Sequence, residues 1–126
     1  MNDPAETILA PWVTVGDASR AVAFYSEALG AEEMYRLENG GEVAVARLRI
    51  GAGQFWVQGE PGTAARREER VRMILTVVDP DAAFARAIAA GAAPVAAVHD
   101  EFGWRTGRVT DPFGYDWEFS KQLDDA

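Results

Sequence analysis

Hydrophobic and polar residues alternate through the C-terminal stretch Gly107–Phe119 in the manner of a hairpin. Tyr115, Trp117 and Phe119 share one face of a strand, and Asp116, Glu118 and Ser120 share the other, because successive side chains on extended backbone point to opposite sides. Asp111-Pro112-Phe113-Gly114 supplies the preceding turn, proline setting φ and glycine tolerating a positive value. Glu118 is therefore a carboxylate on a strand whose other face is aromatic.

The rest of the chain reads by the same periodicities. Ile8–Val15 is an apolar, β-branched strand in which Pro11 implies an edge or a bulge. Asp17 or Ser19 caps a helix over Ala18–Leu29, whose apolar residues recur at helical spacing until Gly30 ends it. Short strands follow at Glu33–Leu37, Glu42–Ile50 and Gln54–Gln58, punctuated by Asn39-Gly40-Gly41 and Gly51-Ala52-Gly53. Glu60–Arg70 lacks apolar periodicity and carries a charge cluster from Arg66 to Arg70, as a solvated connector does. The order then recurs: a strand at Val71–Val78, a helix over Ala82–Ala90 opened by Asp79-Pro80-Asp81, and strands at Pro94–His99, Arg108–Thr110 and Tyr115–Phe119. A shift of 62 places Asp17 on Asp79 and Trp56 on Glu118. Neither half can bury its sheet alone, so the two must pair. The fold predicted is α+β: one domain over residues 1–126, made of duplicated βαβββ modules (about 8–58 and 71–120, joined by 59–70) whose curved mixed sheets surround a cleft.

Composition narrows the function. The chain has 126 residues, 48% of them hydrophobic, which is enough for a real core and argues against disorder. It has no cysteine, which removes disulfides and thiolate chemistry. A net charge of -8 disfavours nucleic acid as a partner. No apolar run reaches membrane-spanning length, and Met1–Thr7 is a short acidic lead-in, so a soluble cytoplasmic protein is expected. Gly51-Ala52-Gly53 is too short for a phosphate loop, and Ser19, Ser26 and Ser120 have no histidine nearby in sequence.

Two stretches carry a family resemblance. Val15–Tyr25 followed by Leu29-Gly30-Ala31 resembles the first-helix signature of the glyoxalase/bleomycin-resistance/dioxygenase group, the vicinal oxygen chelate superfamily. Asp111-Pro112-Phe113-Gly114 leading to Trp117-Glu118-Phe119 resembles its last hairpin, and Val77–Gly91 its second helix. The resemblance implies a divalent metal held in the cleft of the enzyme members by His, Glu or Gln from four strand positions. Carried onto this chain by register, those positions are Ala10, Trp56, Arg72 and Glu118. Glu118 alone is a ligand type, and a catalytic metal takes about three protein ligands. The single histidine, His99, matches none of the four positions and reads as a loop residue. No cofactor and no metal are therefore expected, and Arg72 is expected to pair with Glu118 where a metal would otherwise sit.

The aromatic residues suggest an alternative use for such a cleft. Trp56 stands at an inward position, Trp12 shares its face, and Phe102, Trp104 and Arg105 fall in a loop that can cover the mouth. Trp117, Phe24 and Tyr25 read as core. The expected function is a metal-free small-molecule binding protein, sequestering an aromatic or cationic compound such as an antibiotic. Trp12, Trp56 and Trp104 would stack on it, Arg72 and Glu118 would make polar contacts, and Arg105 would close the loop. No catalytic residue is expected. The resemblance further implies a homodimer whose cleft is shared between subunits. The alternatives are a metal-dependent lyase, isomerase or dioxygenase of the same superfamily, a metal-free enzyme with Glu118 as base, and a structural module with a filled cleft.

Overall fold

The computed structural model of the chain describes residues 7–123, so the lead-in apart from Thr7 lies outside the described residues. The elements run β1 (Trp12–Val15), α1 (Ala18–Leu29), β2 (Glu32–Asn39), β3 (Glu42–Ile50), β4 (Gly53–Gly59), β5 (Glu68–Thr76), α2 (Pro80–Ala90), β6 (Ala93–Glu101), β7 (Trp104–Thr110) and β8 (Tyr115–Gln122). They form two four-stranded mixed sheets: sheet A in the order β1-β4-β3-β2 and sheet B in the order β5-β8-β7-β6. In each the module's first strand runs parallel to its last, and the other pairings are antiparallel. This is the duplicated βαβββ plan. The sheets are not closed into a barrel.

Both helices begin the same way. The Asp17 side chain accepts from the Arg20 backbone N–H, and Asp79 accepts from Ala82, each satisfying a donor that the helix itself leaves unpaired. Pro80 stands in the first turn of α2, where a missing N–H costs nothing. Helix α1 packs on β3 and β4, α2 packs chiefly on β7, and the two helices touch. The helix-facing sides of both sheets thus share one core. Phe55 of sheet A and Trp117 of sheet B lie 5.4 Å apart by ring centroid, and Tyr25 of α1 packs against both.

Several boundaries differ from the expectation, and three of these differences bear on the site. The first strand starts at Trp12 instead of Ile8: Trp56 donates its N–H to the Pro11 carbonyl, and before that Ile8 and Leu9 lie exposed. The fifth strand starts inside the expected connector, at Glu68, whose N–H bonds to Gly114 O before the register shifts ahead of Arg72. The stretch around Trp104 is a tight hairpin, not a covering loop. Phe102 (φ 51°) and Gly103 (φ 82°) both take left-handed backbone, the geometry of the commonest two-residue hairpin turn.

One carboxylate ties the two halves together. Asp111, 4% exposed, accepts from Tyr25 Oη (2.5 Å), Trp117 Nε1 (2.8 Å), and the backbone N–H of Phe113 (2.9 Å) and Tyr115 (3.0 Å). Burial holds its pKa above the ordinary carboxylate value, and the pull of these four donors offsets only part of that rise. The Tyr25 phenol is held far above its ordinary value, by burial first and by the Asp111 charge second, so it stays a donor.

Asp111→Ala is expected to cost about 3 kcal/mol or more, because several buried donors each lose an acceptor worth roughly 1–3 kcal/mol. Guanidinium unfolding of wild type and variant measures this, and a loss below about 1 kcal/mol would contradict the role given to Asp111.

Candidate functional site

Each sheet turns one face to the core and leaves the other uncovered. Across the uncovered face of sheet A, backbone register aligns Trp12, Trp56, Arg47 and Tyr35 in one row over all four strands. Trp12 stacks near-parallel on Trp56 (centroids 6.0 Å apart, 24° between planes), and Tyr35 meets Trp56 edge-on at 6.0 Å. The Arg47 guanidinium lies 5.6 Å from the Trp56 ring centroid, and Trp12 Nε1 donates to Gln58 Oε1 at 3.1 Å. The result is an aromatic wall with an arginine set into it. Trp12 is 52% exposed.

The corresponding row on sheet B is Ile74, Glu118, Arg108 and Ala96. Arg72, two residues before Ile74, places its Nε 3.3 Å from Glu118 Oε1. A cavity of about 260 Å³ beside Glu118 is lined by Ile74, Glu101, Phe102, Trp104, Thr106 and Ser120. A neighbouring one of about 360 Å³ is lined by Glu69, Arg70, Arg72, Ile74, Arg108 and Asp116. Neither takes a residue from the first module. A third cavity of about 360 Å³ follows the seam between the modules, with Leu9, Pro11, Phe55, Val71, Arg72, Met73 and Trp117 on its walls.

The structure thus brings Trp12 to Trp56, Arg72 to Glu118, and Trp104 to the cavity that Glu118 lines. Arg105 goes elsewhere. It is the strand neighbour of Trp104 and so points to the helix side, where it donates to Asp81 Oδ1 and Oδ2 and to Asp100 Oδ1, all at 2.8 Å. These bonds hold the Arg105 pKa up and the Asp81 pKa down. His99 bonds through Nδ1 to the Ala97 carbonyl and lies in β6. Sequence reasoning missed Tyr35, Arg47 and Arg108. For Arg47 a signal existed: the Gly51-Ala52 turn fixes the β3–β4 register and sets Arg47 opposite Trp56. Tyr35 was hidden by the register shift between Glu33 and Tyr35.

The metal positions do not fit a metal. Ala10 and Trp56 offer no donor, and Arg72 directs a cation at Glu118. Among the described residues no three His, Asp or Glu side chains gather as a metal cage would.

A family model for the glyoxalase-like domain matches residues 12–119. An uncharacterised protein of Mycobacterium bovis is 35% identical over 94% of this chain and 85% of its own length. The crystal structure of TioX from Micromonospora sp. ML1 superposes with a TM-score of 0.75 at 30% identity, covering 94% of this chain and all of that one. FosX, a fosfomycin resistance protein from Listeria monocytogenes, shares the fold at 15% identity, with a TM-score of 0.74 and 94% of each chain covered.

A further contact on sheet B carries a pH response. Arg67 grips the buried Asp116 carboxylate through Nε (3.2 Å) and Nη2 (2.8 Å), and Thr110 Oγ1 adds a bond of 2.7 Å. Burial alone would raise the Asp116 pKa, but Arg67 and Thr110 outweigh it and bring it below the ordinary value. A depressed carboxylate pKa adds stability that is complete above the unfolded value of about 3.9 and is lost as pH falls through the folded one. Unfolding midpoints of wild type should therefore fall more steeply below about pH 4 than those of Asp116→Asn. Parallel curves would show that the Arg67 grip adds nothing.

Proposed function

The chain belongs to the glyoxalase-like family, and we propose that this member is a metal-free binding protein for a small planar molecule. The observation that carries this is the Trp12–Trp56 stack, exposed on a sheet face at the place where an enzyme of this fold plan would offer a metal ligand. The opposite requirement, a cation at Glu118, is met from within by Arg72. Trp56 and Trp12 supply stacking area at low entropic cost, and Gln58, already bonded to Trp12, holds the outer ring in place. Trp104 and the Arg72–Glu118 pair form the second wall. An antibiotic with a planar ring system is one ligand that meets these terms. Sequestration of this kind is stoichiometric and needs no catalytic residue.

The protein acts as a homodimer in this proposal, with sheet A of one copy facing sheet B of the other across a shared cleft. The support is the apolar surface left on both uncovered faces: Trp12, Tyr35 and Leu37 on one, Ile74 and Trp104 on the other. Such surface marks an interaction site when it is contiguous. Among the described residues no helix is long and apolar enough to cross a membrane.

Titration with the neutral planar probe 2-naphthol should quench tryptophan emission. Trp56→Ala should weaken binding about tenfold while the circular dichroism spectrum stays unchanged. Sedimentation should give a dimer. Stoichiometric Zn, Ni, Fe or Mn lost on Glu118→Gln would overturn the metal-free reading, and a monomer at every concentration would overturn the shared cleft.

A further inference from the structure

The two uncovered rows have one residue type in common. Arg47 stands next to Trp56 on sheet A, and Arg108 stands next to Glu118 on sheet B, at corresponding places in the two modules. Both are only partly accessible, and in each the Nε atom is cut off from water with no hydrogen-bond partner. Neither makes an ion pair among the described residues. Acids near Arg108 are already engaged: Asp116 is held by Arg67 and Thr110, and Glu118 is paired with Arg72. Arg49 has an unpartnered Nε as well, but its Nη2 reaches Glu32, and Arg36 and Arg105 have each found a carboxylate, so what sets Arg47 and Arg108 apart is that no described carboxylate meets any part of the guanidinium. In a chain of net charge -8, carboxylates are abundant, so two half-buried arginines without one are conspicuous. A desolvated guanidinium donor is costly unless a partner accepts from it, and its planar fork matches a carboxylate or phosphonate.

From these two arginines we infer that the molecule bound at this site is a planar organic anion, its ring on Trp12 and Trp56 of one copy and its charged group between Arg47 of that copy and Arg108 of the other, across the shared cleft. The inference rests on the planar-ligand reading and the shared cleft proposed above, and specifies the charge of the ligand. It selects the aromatic member of the expected ligand pair and rejects the cationic one. The arginine seated over Trp56 already occupies the place a ligand cation would take, so a cation meets repulsion there where an anion meets an unpaired donor.

The test compares three probes of one ring system at low salt by tryptophan quenching: 2-naphthoate, neutral 2-naphthol and cationic 2-naphthylmethylamine. The expected result is naphthoate binding about tenfold more tightly than the amine, a preference that salt weakens. Arg47→Gln and Arg108→Gln should each reduce that preference, and Arg36→Gln, the same charge change away from the site, should leave it intact. Arg108→Lys, which keeps charge and loses the fork, covers the case in which the glutamine variant does not fold, and should retain part of the preference. If 2-naphthol or the amine binds as well as naphthoate, the anion inference falls and the planar site stands. If none of the three quenches, both fall. If the arginine variants dissociate the dimer and leave the preference unchanged, the arginines serve the subunit interface and the inference is wrong.

Discussion

The bond network around Asp111 is the constraint on which the rest of the architecture depends. It sits in the turn that begins the last hairpin, yet its strongest side-chain partner, Tyr25, is on the first helix. A charged group at that depth is tolerable only because four donors converge on it. Two of them, Tyr25 and Trp117, also supply the aromatic core in which Phe55 and Phe113 are seated. Fixing the turn fixes the phase of β8. That phase sends Trp117 and Phe119 inward and presents Glu118 outward.

Once the phase is set, the uncovered faces are determined by alternation, and their chemistry differs between the modules. The first face is aromatic around Arg47 and the second is ionic around Arg108. The family resemblance implies metal ligands at such places in the enzyme members; here the two last-strand positions hold a tryptophan and a carboxylate paired with Arg72. Fold and function therefore separate at a few residues: the core that sets the strands in place is indifferent to what their outward side chains bind.

Much of this was legible in the sequence. The caps at Asp17 and Asp79, the glycine ends of both helices and the opposite facing of Trp117 and Glu118 follow from local chemistry, because each residue's preference agrees with its neighbours. The approach of Arg72 to Glu118 was legible from the strand positions that the family resemblance implies, carried onto this chain by register. What was hidden depended on departures from regular geometry. Phe102 occupies a left-handed position usually given to Asn, Asp or Gly, so the hairpin that carries Trp104 and Arg105 read as a loop. That error cost the placement of Arg105, since only a strand dictates that neighbours point apart. Arg67 lay in an aperiodic charge cluster, and its partner Asp116 is close to it only because β5 returns alongside β8.

The Tyr115 hydroxyl lies where the two modules meet. It accepts from the Thr14 N–H (3.0 Å) and donates to the Thr14 carbonyl (2.9 Å). Thr14 lies on β1, the outermost strand of sheet A, and these are backbone groups that β4 does not use. A bare strand border of this kind recruits other chains in extended form. The second module thus acts as an intramolecular guard for the first. A first module produced alone would have its helix and hairpins but an unprotected border, and its natural fate would be edge-to-edge self-association. The duplication is in this respect a solubility device as well as a way of making two walls.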